Sequence, residues 1–445
     1  MRALHIVLVA YGCDPTRGSE PAVGWSWAET LARRGHTVEV LTHPDRDNAE
    51  HIKRRVAELG PVGERIRPHI IPVPDDPSWV DMLPRRLGHM AQQILSYDAW
   101  QRRALAYARR RGLDRADLVH HVSYGSLQGG SALRRLGPPL VFGPVGGGQT
   151  APHSHRRYLD TYWQEALRTL LWARCYSRRP SCRTTLREAA AVFVTNRDTQ
   201  QVARRLGRTD ARLMLAEGIK ESLIRETLED ESAQAFRPPT VLWVGGLIAR
   251  KSPELALRAF AHLRSDIPQA RLVVLGEGPL RPSLEQLALS LGVSESIDFR
   301  GEIPWEQVLT AYDTADALLM TSLRDSSGMQ ALESWARGLP VVHLGHHGIS
   351  DFSAPGGSIS VPLGDPADLP QRLAHALGTL INDQQARRWM GKAALAWARK
   401  HTWTAKAETT EEVYCAVLPA GRPSASASTG DRTGREHVSA AAPQS

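Results

Sequence analysis

The chain has 445 residues, of which 42% are hydrophobic and 23% are charged, and its formal net charge at pH 7 is +8. This composition is typical of a globular protein, and the length favours two domains. No apolar stretch reaches about 18 residues, which excludes a membrane-spanning helix, and four cysteines are too few for a disulfide framework. The positive charge favours anionic partners. Scattered arginines without a DNA- or RNA-binding motif argue against nucleic acid.

The first third of the chain alternates strand-like and helical patterns. The apolar run from His5 to Ala10 predicts a buried strand rather than a signal peptide. A loop extends to Gly24, and a helix over 25–34 and a strand over 37–42 follow. Further strands are predicted at 118–122, 140–142 and 191–195. This order predicts a parallel sheet covered by helices on both faces.

Two helical stretches interrupt this pattern, at about 83–111 and about 158–175. Ordinary amphipathic packing explains both of them. The alternative is contact with a membrane surface or a hydrophobic acceptor. We expect a cytoplasmic protein. Peripheral contact of these stretches with the inner face of the membrane is an open alternative.

The same alternation restarts in the second half. Strands are predicted at 240–244, 271–275, 297–300, 317–321 and 340–344, with helices at 253–263, 281–291, 305–311 and 329–337. This predicts a second doubly wound α/β unit. We expect an N-terminal domain over 1–218, a linker over 219–239 and a C-terminal domain over 240–399. A helix at about 400–418 would rejoin the first domain, and the tail at 419–445 is too poor in large apolar residues to order.

Glycine-rich backbone follows two predicted strands of the first half. Gly18, Ser19 and Glu20 precede the first helix, and Gly146 and Gly147 follow the strand at 140–142. Free N–H groups at a helix start, together with the helix dipole, suit a phosphate or a sugar hydroxyl. The spacing is not G-x-G-x-x-G, so a dinucleotide fingerprint is absent, and an ordinary turn is the alternative.

A second glycine-rich segment begins with Gly245 and Gly246, where the strand at 240–244 ends, and leads to Arg250 and Lys251. The glycines allow a ligand to approach the backbone. Cations at a helix start oppose the helix dipole, which makes sense if an anion is bound there. Arginine can bind a diphosphate through two hydrogen bonds and lysine can bind it as a point charge. We expect a diphosphate here, and a solvated surface is the alternative.

Asp325 and Glu333 are separated by seven residues, the first in a loop and the second in the following helix. Helical rise places them about 12 Å apart, too far to act on one atom. Carboxylates accept hydrogen bonds from hydroxyl pairs, so the two could hold a sugar and a ribose at opposite ends of one ligand. Two surface acids are the alternative. Backbone amides at the intervening helix start belong to Ser326, Ser327, Gly328 and Met329.

His120 and His121 stand near the carboxyl end of a predicted strand, where open α/β sheets bind ligands. Strand alternation sends one to each face, so one could face a cleft while the other packs in the core. Two metal hypotheses are weak, the first because a D-x-D triplet is common by chance and lies away from the cation site of the second half, the second because no carboxylate or cysteine spacing supports it. They concern Asp45 with Asp47, and His343 with His346 and His347.

Several of these segments together resemble the donor-binding half of retaining glycosyltransferases of family 4. The matching segments are 244–253, 275–279, 298–301, and Asp325 to Glu333 with 336–342. The segments 18–25 and 143–148 resemble a bacterial subgroup of that family. The resemblance covers about residues 3–415.

The resemblance implies the α/β GT-B fold, in which two Rossmann-like domains with parallel sheets face a cleft. The nucleotide-diphosphate sugar is a co-substrate on the C-terminal domain, the acceptor lies mainly on the N-terminal domain, and no metal is needed. Lys251 would bind the diphosphate, Glu333 the ribose, and Asp325 the transferred sugar in place of the family's glutamate. The matching motifs also assign Gly276, Gly278 and Arg300 to the donor site.

Two departures from the family pattern stand out. Gly246 replaces the usual arginine, so Arg250 is expected to supply the second cation, and Asp325 reaches one methylene less far than glutamate. The family often has a cleft histidine, and His121 is favoured over His120 because it lies nearer the strand end.

The expected function is retaining transfer of a sugar from a nucleotide-diphosphate sugar to an acceptor hydroxyl, as in polysaccharide biosynthesis. The acceptor could be a lipid-linked saccharide, a polysaccharide or a secondary metabolite. A nucleotide-sugar epimerase of the same fold is one alternative, recognised by product formed from the donor alone. A non-catalytic sugar-nucleotide binding protein is the other.

Overall fold

The computed structural model describes residues 2–73, 85–159, 162–170, 178–228 and 237–418. In the first half, the strands are β1 His5–Ala10, β2 Thr37–Thr42, β3 Ile66–Ile70, β4 Leu118–Ser123, β5 Leu140–Val145, β6 Ala191–Val194 and β7 Arg212–Leu213. In the second half, they are β8 Thr240–Val244, β9 Arg271–Leu275, β10 Ile297–Gly301, β11 Ala317–Met320, β12 Val341–Leu344 and β13 Ser358–Val361.

The helices alternate with these strands. Those of the first half are α1 Ser19–Arg33, α2 Asn48–Glu58, α3 Arg85–Arg110, α4 Tyr162–Arg168, α5 Pro180–Glu188 and α6 Arg197–Arg205. Those of the second half are α7 Pro253–Asp266, α8 Arg281–Ser290, α9 Trp305–Thr314, α10 Met329–Ala336, α11 Gly348–Asp351, α12 Leu369–Asn382, α13 Gln384–Ala398 and α14 Trp403–Val417.

Two parallel sheets form the cores of two lobes. Their strand orders are β3-β2-β1-β4-β5-β6-β7 and β10-β9-β8-β11-β12-β13. In each, the order reverses beside the first strand of the lobe, which creates a crevice at the carboxyl ends of β1 and β4 and of β8 and β11. The predicted α/β class with two doubly wound parallel sheets is confirmed.

The first sheet is buried on both faces because its strands are nearly continuous apolar runs. In β1, Ile6 and Leu8 pack on one face and Val7 and Val9 on the other, and all four are fully buried. Helix α14 returns from the second lobe and packs on α1, where Tyr414 joins the core of the first lobe.

The chain crosses between the lobes twice, and the two crossings pair with each other. Ile219 and Thr402 form an isolated parallel bridge, in which the Ile219 N–H donates to the His401 carbonyl (3.0 Å). The Trp403 N–H donates in turn to the Ile219 carbonyl (3.1 Å). The outgoing and returning segments are therefore joined beside the cleft between the lobes.

Three strands were not predicted from the sequence, and all three lie at sheet edges. β3, β7 and β13 are short and partly exposed, so they lack the continuous apolar runs of central strands. Helix α1 begins at Ser19, six residues before the predicted start, which corrects the loop predicted up to Gly24. Gly24 lies within this helix, where a glycine is required because a Cβ would lie 2.1 Å from the carbonyl oxygen of Gly12.

The predicted helix at 83–111 corresponds to α3, and its first two residues lie outside the described residues. In the predicted helical stretch at 158–175, a 3-10 turn over His153–Tyr158 is followed by α4, and residues 160–161 and 171–175 lie outside the described residues. The predicted disordered tail at 419–445 lies outside them too. Within the described ranges, no helix combines the length and apolarity that a bilayer crossing requires.

Candidate functional site

A cleft of about 880 Å³ lies between the two lobes, at the carboxyl ends of both sheets. Its walls come from the loops after β1, β4 and β5 in the first lobe and after β8 and β11 in the second. The two switch-point crevices therefore open into one space. Predicted site residues among its lining are Glu20, Gly146, Gly147, Gly246, Arg250, Lys251, Asp325, Ser326, Ser327, Gly328, Met329 and Glu333.

An ion pair forms the floor of the cleft on the side of the second lobe. The buried Lys251 ammonium donates to Asp325 Oδ2, and Arg250 Nη1 lies 4.0 Å from Asp325 Oδ1. Burial alone would raise the pKa of Asp325, but Lys251, Arg250 and the Ser326 N–H (2.9 Å) outweigh burial and lower that pKa. Asp325 is therefore a carboxylate that holds Lys251 in place.

Helix α4 of the first lobe adds charge to the same floor. Glu165 accepts two hydrogen bonds from Arg324, at 2.6 and 3.0 Å. Arg168 lies one turn along α4, where it donates to the Gln149 carbonyl (3.1 Å) and its Nε lies 3.8 Å from Glu165. Burial lowers the pKa of Arg168 to about 10, and repulsion from Arg324 and Arg250 adds to this effect.

The floor is cationic overall. Lys251 and three arginines, Arg168, Arg250 and Arg324, line the cleft, whereas Asp325 and Glu165 are the carboxylates in contact with them. Like charges held this close in a partly desolvated site repel, and a multivalent anion relieves that repulsion. The arrangement therefore suits a diphosphate.

The loop after β11 leads directly into the N-terminus of α10. Gly328 has a left-handed backbone (φ 74°) and precedes Met329, the first helical residue. The first N–H groups of a helix lack intrahelical partners and carry partial positive charge. Met329 and the residues just before it, Ser326 to Gly328, line the cleft beside the cationic floor.

Glu333 lies further along α10, and its carboxylate accepts a hydrogen bond from the Tyr312 hydroxyl (3.0 Å). Burial raises the pKa of Glu333, and the hydrogen bonds from Tyr312 and Trp305 only partly offset this. Asp325 and Glu333 thus share the cleft in different environments, one with cations and the other with neutral donors.

Glu20 is the main acidic group contributed by the first lobe. It stands in the first turn of α1, and its Oε1 accepts from Ser123 Oγ (3.0 Å) and from the Gly125 N–H (2.6 Å). Burial raises its pKa, and these two hydrogen bonds oppose the rise. Gly18 and Ser19 precede it and are not among the lining residues of the cleft.

The backbone after β5 brings the lobes close together. A Cβ at Gly146 would lie 3.4 Å from the Ser326 Cβ across the cleft. Gly147 has φ 108°, and a Cβ there would lie 2.2 Å from Gln128 Oε1. A side chain at Gly146 would therefore approach the other lobe, whereas one at Gly147 would clash within the first lobe.

Neither His120 nor His121 is among the residues lining the cleft, and both are fully buried. The His120 Nε2–H donates to the Gly143 carbonyl (2.7 Å), and Nδ1 accepts from the Tyr414 hydroxyl (2.6 Å). His121 Nε2 contacts the Tyr97 hydroxyl (3.0 Å) on the opposite face of β4. Burial lowers the pKa of each imidazole to about 3, so both are neutral.

Four other predicted donor residues also lie outside the lining of the cleft. Gly245 and Gly276 pack backbone against backbone, since a Cβ at Gly276 would lie 2.0 Å from the Gly245 carbonyl oxygen. Gly278 packs in the same way against Leu247. Arg300 donates to Asp298 Oδ2 (2.7 Å) and lines a separate, smaller pocket. The three glycines therefore allow the backbone to pack closely outside the lining of the cleft.

Three residues of the two weak metal hypotheses, Asp45, His343 and His347, have other partners. Asp45 pairs with Arg17, and Asp47 precedes the first residue of α2. His343 Nε2 lies 2.8 Å from Ser353 Oγ, and His347 bridges Asp198 and the Leu323 carbonyl (2.8 Å each). Among the described residues, no group of three or more His, Cys, Asp or Glu side chains is placed to hold a metal ion.

Sequence reasoning missed Arg168, Glu165, Arg324 and Glu217 as cleft residues. Arg324 was adjacent to a predicted site residue, so its position was a usable signal. Glu165 and Arg168 had only an i,i+3 acid–base spacing, which is common on solvated helices. Glu217 stands in the first crossing between the lobes, where no periodic pattern marks it.

The lobes contact each other directly around the cleft. The Asn196 side-chain amide donates to the Ser326 carbonyl (3.1 Å), and the Arg197 N–H donates to Asp351 (2.7 Å). The Tyr158 hydroxyl donates to the Pro366 carbonyl (2.5 Å) on the other side. These hydrogen bonds fix the position of one lobe relative to the other around the cleft.

Two family models match the chain, one for each lobe. "Glycosyl transferase 4-like domain" matches residues 17–216, and "Glycosyl transferases group 1" matches residues 224–397. A D-inositol 3-phosphate glycosyltransferase of Corynebacterium diphtheriae is 26% identical over 93% of this chain and 95% of its own length. One from Corynebacterium jeikeium is 34% identical, over 42% of this chain and 45% of its own length, so this chain spans less than half of that relative.

Solved structures share the two-lobed architecture. Sucrose-phosphate synthase from Thermosynechococcus elongatus matches with a TM-score of 0.66 at 19% identity, over 93% of this chain and 99% of its own. Anabaena HepE in complex with UDP and glucose matches with a TM-score of 0.60 at 16% identity, over 93% and 100%. At these identities the likeness shows the fold alone, and the expected GT-B fold is confirmed.

Proposed function

Since the chain belongs to the glycosyltransferases that join a 4-like domain to a group 1 domain, we propose that it transfers a sugar from a nucleotide-diphosphate sugar to an acceptor hydroxyl. The observation that carries this proposal is the cationic floor built by Lys251, Arg250, Arg324 and Arg168. A departing diphosphate gains negative charge in the transition state, and fixed cations in a desolvated cleft stabilise that charge most strongly.

Each wall of the cleft has a part in this reaction. Lys251, held by Asp325, and Arg250 receive the diphosphate, with the N-terminus of α10 beside them. Glu333, in the middle of α10 and surrounded by neutral hydrogen-bond donors, accepts hydrogen bonds from the ribose. Glu20 on the first lobe faces the acceptor. Positioning and charge stabilisation carry the catalysis, without a covalent sugar–enzyme intermediate.

We propose retention of the anomeric configuration on the family resemblance. In same-face substitution the departing diphosphate takes the acceptor proton, so no general base is required. This agrees with two histidines that are neutral and buried away from the cleft. The cations of the floor can take the charge-neutralising place of a metal ion, and we therefore propose a metal-independent enzyme.

The donor and acceptor classes are also proposals. Structures that share the fold hold UDP or UDP-glucose, which supports a nucleotide-sugar donor. Relatives named D-inositol 3-phosphate glycosyltransferase make a phosphorylated polyol an acceptor to test beside lipid-linked saccharides and small-molecule scaffolds. Exposed Trp163 and Leu170 near α4 support peripheral membrane contact at the cytoplasmic face.

A donor panel tests the function directly. UDP-glucose, UDP-N-acetylglucosamine, GDP-mannose and ADP-glucose are compared by ligand-induced thermal shift, because binding to the folded state raises Tm. The donor with the largest shift is then incubated with the acceptor panel, and the anomeric centre of the product is read by NMR. Absence of binding by the whole panel contradicts the proposal, and product formed from donor alone indicates an epimerase.

A further inference from the structure

Glu217 occupies the place where the chain first leaves the N-terminal lobe. It lines the cleft together with Asp325, Ser327 and Glu333, and its other side borders a small cavity of about 170 Å³ that contains Lys406. Two residues later, Ile219 pairs with the returning segment. The side chain of Glu217 therefore lies between the ligand space and the paired crossings.

In the part of the chain that the structure describes, the Glu217 carboxyl has few polar partners for a group that lines the cleft. Among the described residues its hydrogen-bond partner is Ser327, whose Oγ donates to Oε2 at 3.4 Å, and no cation lies within ion-pair distance. The Lys406 ammonium is instead engaged by the carbonyls of Leu215 and Ala216, the latter at 2.8 Å. It also lies 5.3 Å and 5.2 Å from the rings of Trp27 and Trp403.

The charges facing Glu217 come from several elements. Asp325, in the loop before α10, and Glu333, on α10, are acidic and disfavour its ionised form, whereas the charged form of Lys406 on α14 favours it. Burial lowers the pKa of Lys406 to about 7 as well, but Lys406 is not among the residues that line the cleft. Lys400 and His401 border the small cavity behind it. Burial is the largest influence and raises the pKa of Glu217 to about 7, with Asp325 and Glu333 adding to the rise and Lys406 and Ser327 opposing it.

A bound donor shifts the protonation equilibrium of Glu217 toward the neutral form. A diphosphate adds two negative charges to the cleft, and the donor displaces the water that solvates a carboxylate. Asp325 is protected from protonation by Lys251 and Arg250, whereas Glu217 has no such partner. Of the two, Glu217 is the carboxyl that a donor drives to its neutral form.

We propose that binding of the nucleotide-diphosphate sugar is coupled to the uptake of one proton from solvent by the Glu217 carboxylate. The resulting carboxylic acid donates its O–H to the bound donor, which a carboxylate cannot do, so Glu217 is a positioning residue for the donor. The proton adds to Oε1 or Oε2, and no other bond forms or breaks. This inference rests on the proposed function, because it assumes an anionic donor in the cleft.

Calorimetry tests the coupling with the donor selected from the panel above. The diphosphate diester of such a donor has no proton that ionises near pH 7, so the ligand itself contributes none. Binding enthalpies measured at about pH 7.5 in two buffers of different ionisation enthalpy give the number of protons exchanged. We expect a net uptake between about half and about three quarters of a proton in the wild-type protein, since a carboxyl with a pKa of about 7 is already partly protonated at that pH, and none in Glu217→Gln.

Matched variants separate Glu217 from the other buried carboxyls. Glu20→Gln removes another cleft carboxyl of raised pKa, and uptake should persist in it. Uptake that persists in Glu217→Gln, or that disappears in Glu20→Gln alone, overturns the assignment. Because Glu217→Gln keeps the size and shape of the side chain, its folding is checked by its melting curve.

The pH dependence of wild-type affinity tests the coupling without any variant. Above about pH 7 the affinity should fall by up to about tenfold per pH unit, the slope expected when one proton is taken up on binding. A dissociation constant that is flat between about pH 6 and about pH 8.5 overturns the proposal even though the donor binds. Absence of binding at every pH contradicts the proposed function itself, so the two failures are distinguishable.

Discussion

Lys251 and Asp325 form an ion pair on the floor of the cleft, although 74 residues separate them in the chain. The pair is buried and joins the loop after β8 to the loop after β11, the two strands at the switch point of the second sheet. In the proposed reaction, this pair fixes a cation where the leaving group of a sugar donor would lie. Several expected outcomes follow from its geometry and that of its neighbours.

Replacing Lys251 by alanine should lower kcat by about 10²-fold or more, because the departing diphosphate loses a desolvated cation. Steady-state kinetics with the selected donor measures the loss. Lys392→Ala, which removes an exposed lysine on α13, is the matched control and should behave as wild type. Undiminished turnover by Lys251→Ala would count against the diphosphate assignment.

Replacing Asp325 by asparagine should lower kcat/KM and change the preference between donors that differ in the sugar. The amide no longer neutralises Lys251 and Arg250, so both cations lose their fixed position. The double variant with Lys251→Ala should lose less than the sum of the single losses, with a coupling of about 0.5–3 kcal/mol. Additive losses and unchanged donor preference would show that Asp325 does not act through Lys251.

Replacing Tyr414 by phenylalanine should cost about 1–3 kcal/mol of unfolding free energy and leave kcat unchanged. His120 Nδ1 would lose its hydrogen-bond donor in a site without water access. Urea denaturation measures the cost. Tyr107→Phe, which alters a half-buried hydroxyl between His69 and Arg111, is the control and should cost less. A large loss of kcat with no loss of unfolding free energy would indicate that His120 takes part in the reaction.

Replacing Glu217 by glutamine should stabilise the free protein at pH 8 and not at pH 4. Folding raises the pKa of this carboxyl from an ordinary value of 4.5 to about 7, so the folded state binds the proton more tightly. That stabilisation is complete below about pH 4.5 and is lost as pH rises to about 7, at a cost of about 1–3 kcal/mol. Denaturant melts at both pH values measure it, and a constant difference would contradict the shift.

Chelation should leave the transfer reaction intact. The cationic floor already supplies the charge that a divalent ion would supply to the leaving diphosphate. Activity is compared before and after dialysis against EDTA, with Mg²⁺ added back in a parallel sample. A strict requirement for Mg²⁺ would show that the side chains alone do not neutralise the leaving group.

The central strands and part of the cleft lining were predictable because they depend on local sequence. Short apolar runs such as His5–Ala10 and Thr240–Val244 are typical of buried strands in a parallel sheet, and the structure has both with the predicted bounds. Lys251, Asp325 and Glu333 were recognised because their spacing places them at strand ends and a helix start. Edge strands such as β3 lacked that signal because half of their surface faces solvent.

The sequence by itself determined the class of fold, the switch points and the residue types that could grip an anion. The tertiary structure alone decided which of those residues meet. In the folded chain both histidines are buried outside the cleft lining, and Arg300 lines another pocket. Arg168 and Glu217, from distant segments of the chain, line the cleft. Strand and helix periodicities extend over a few residues, whereas charge neighbours and solvation depend on how two lobes pack, and these set the electrostatics of the cleft.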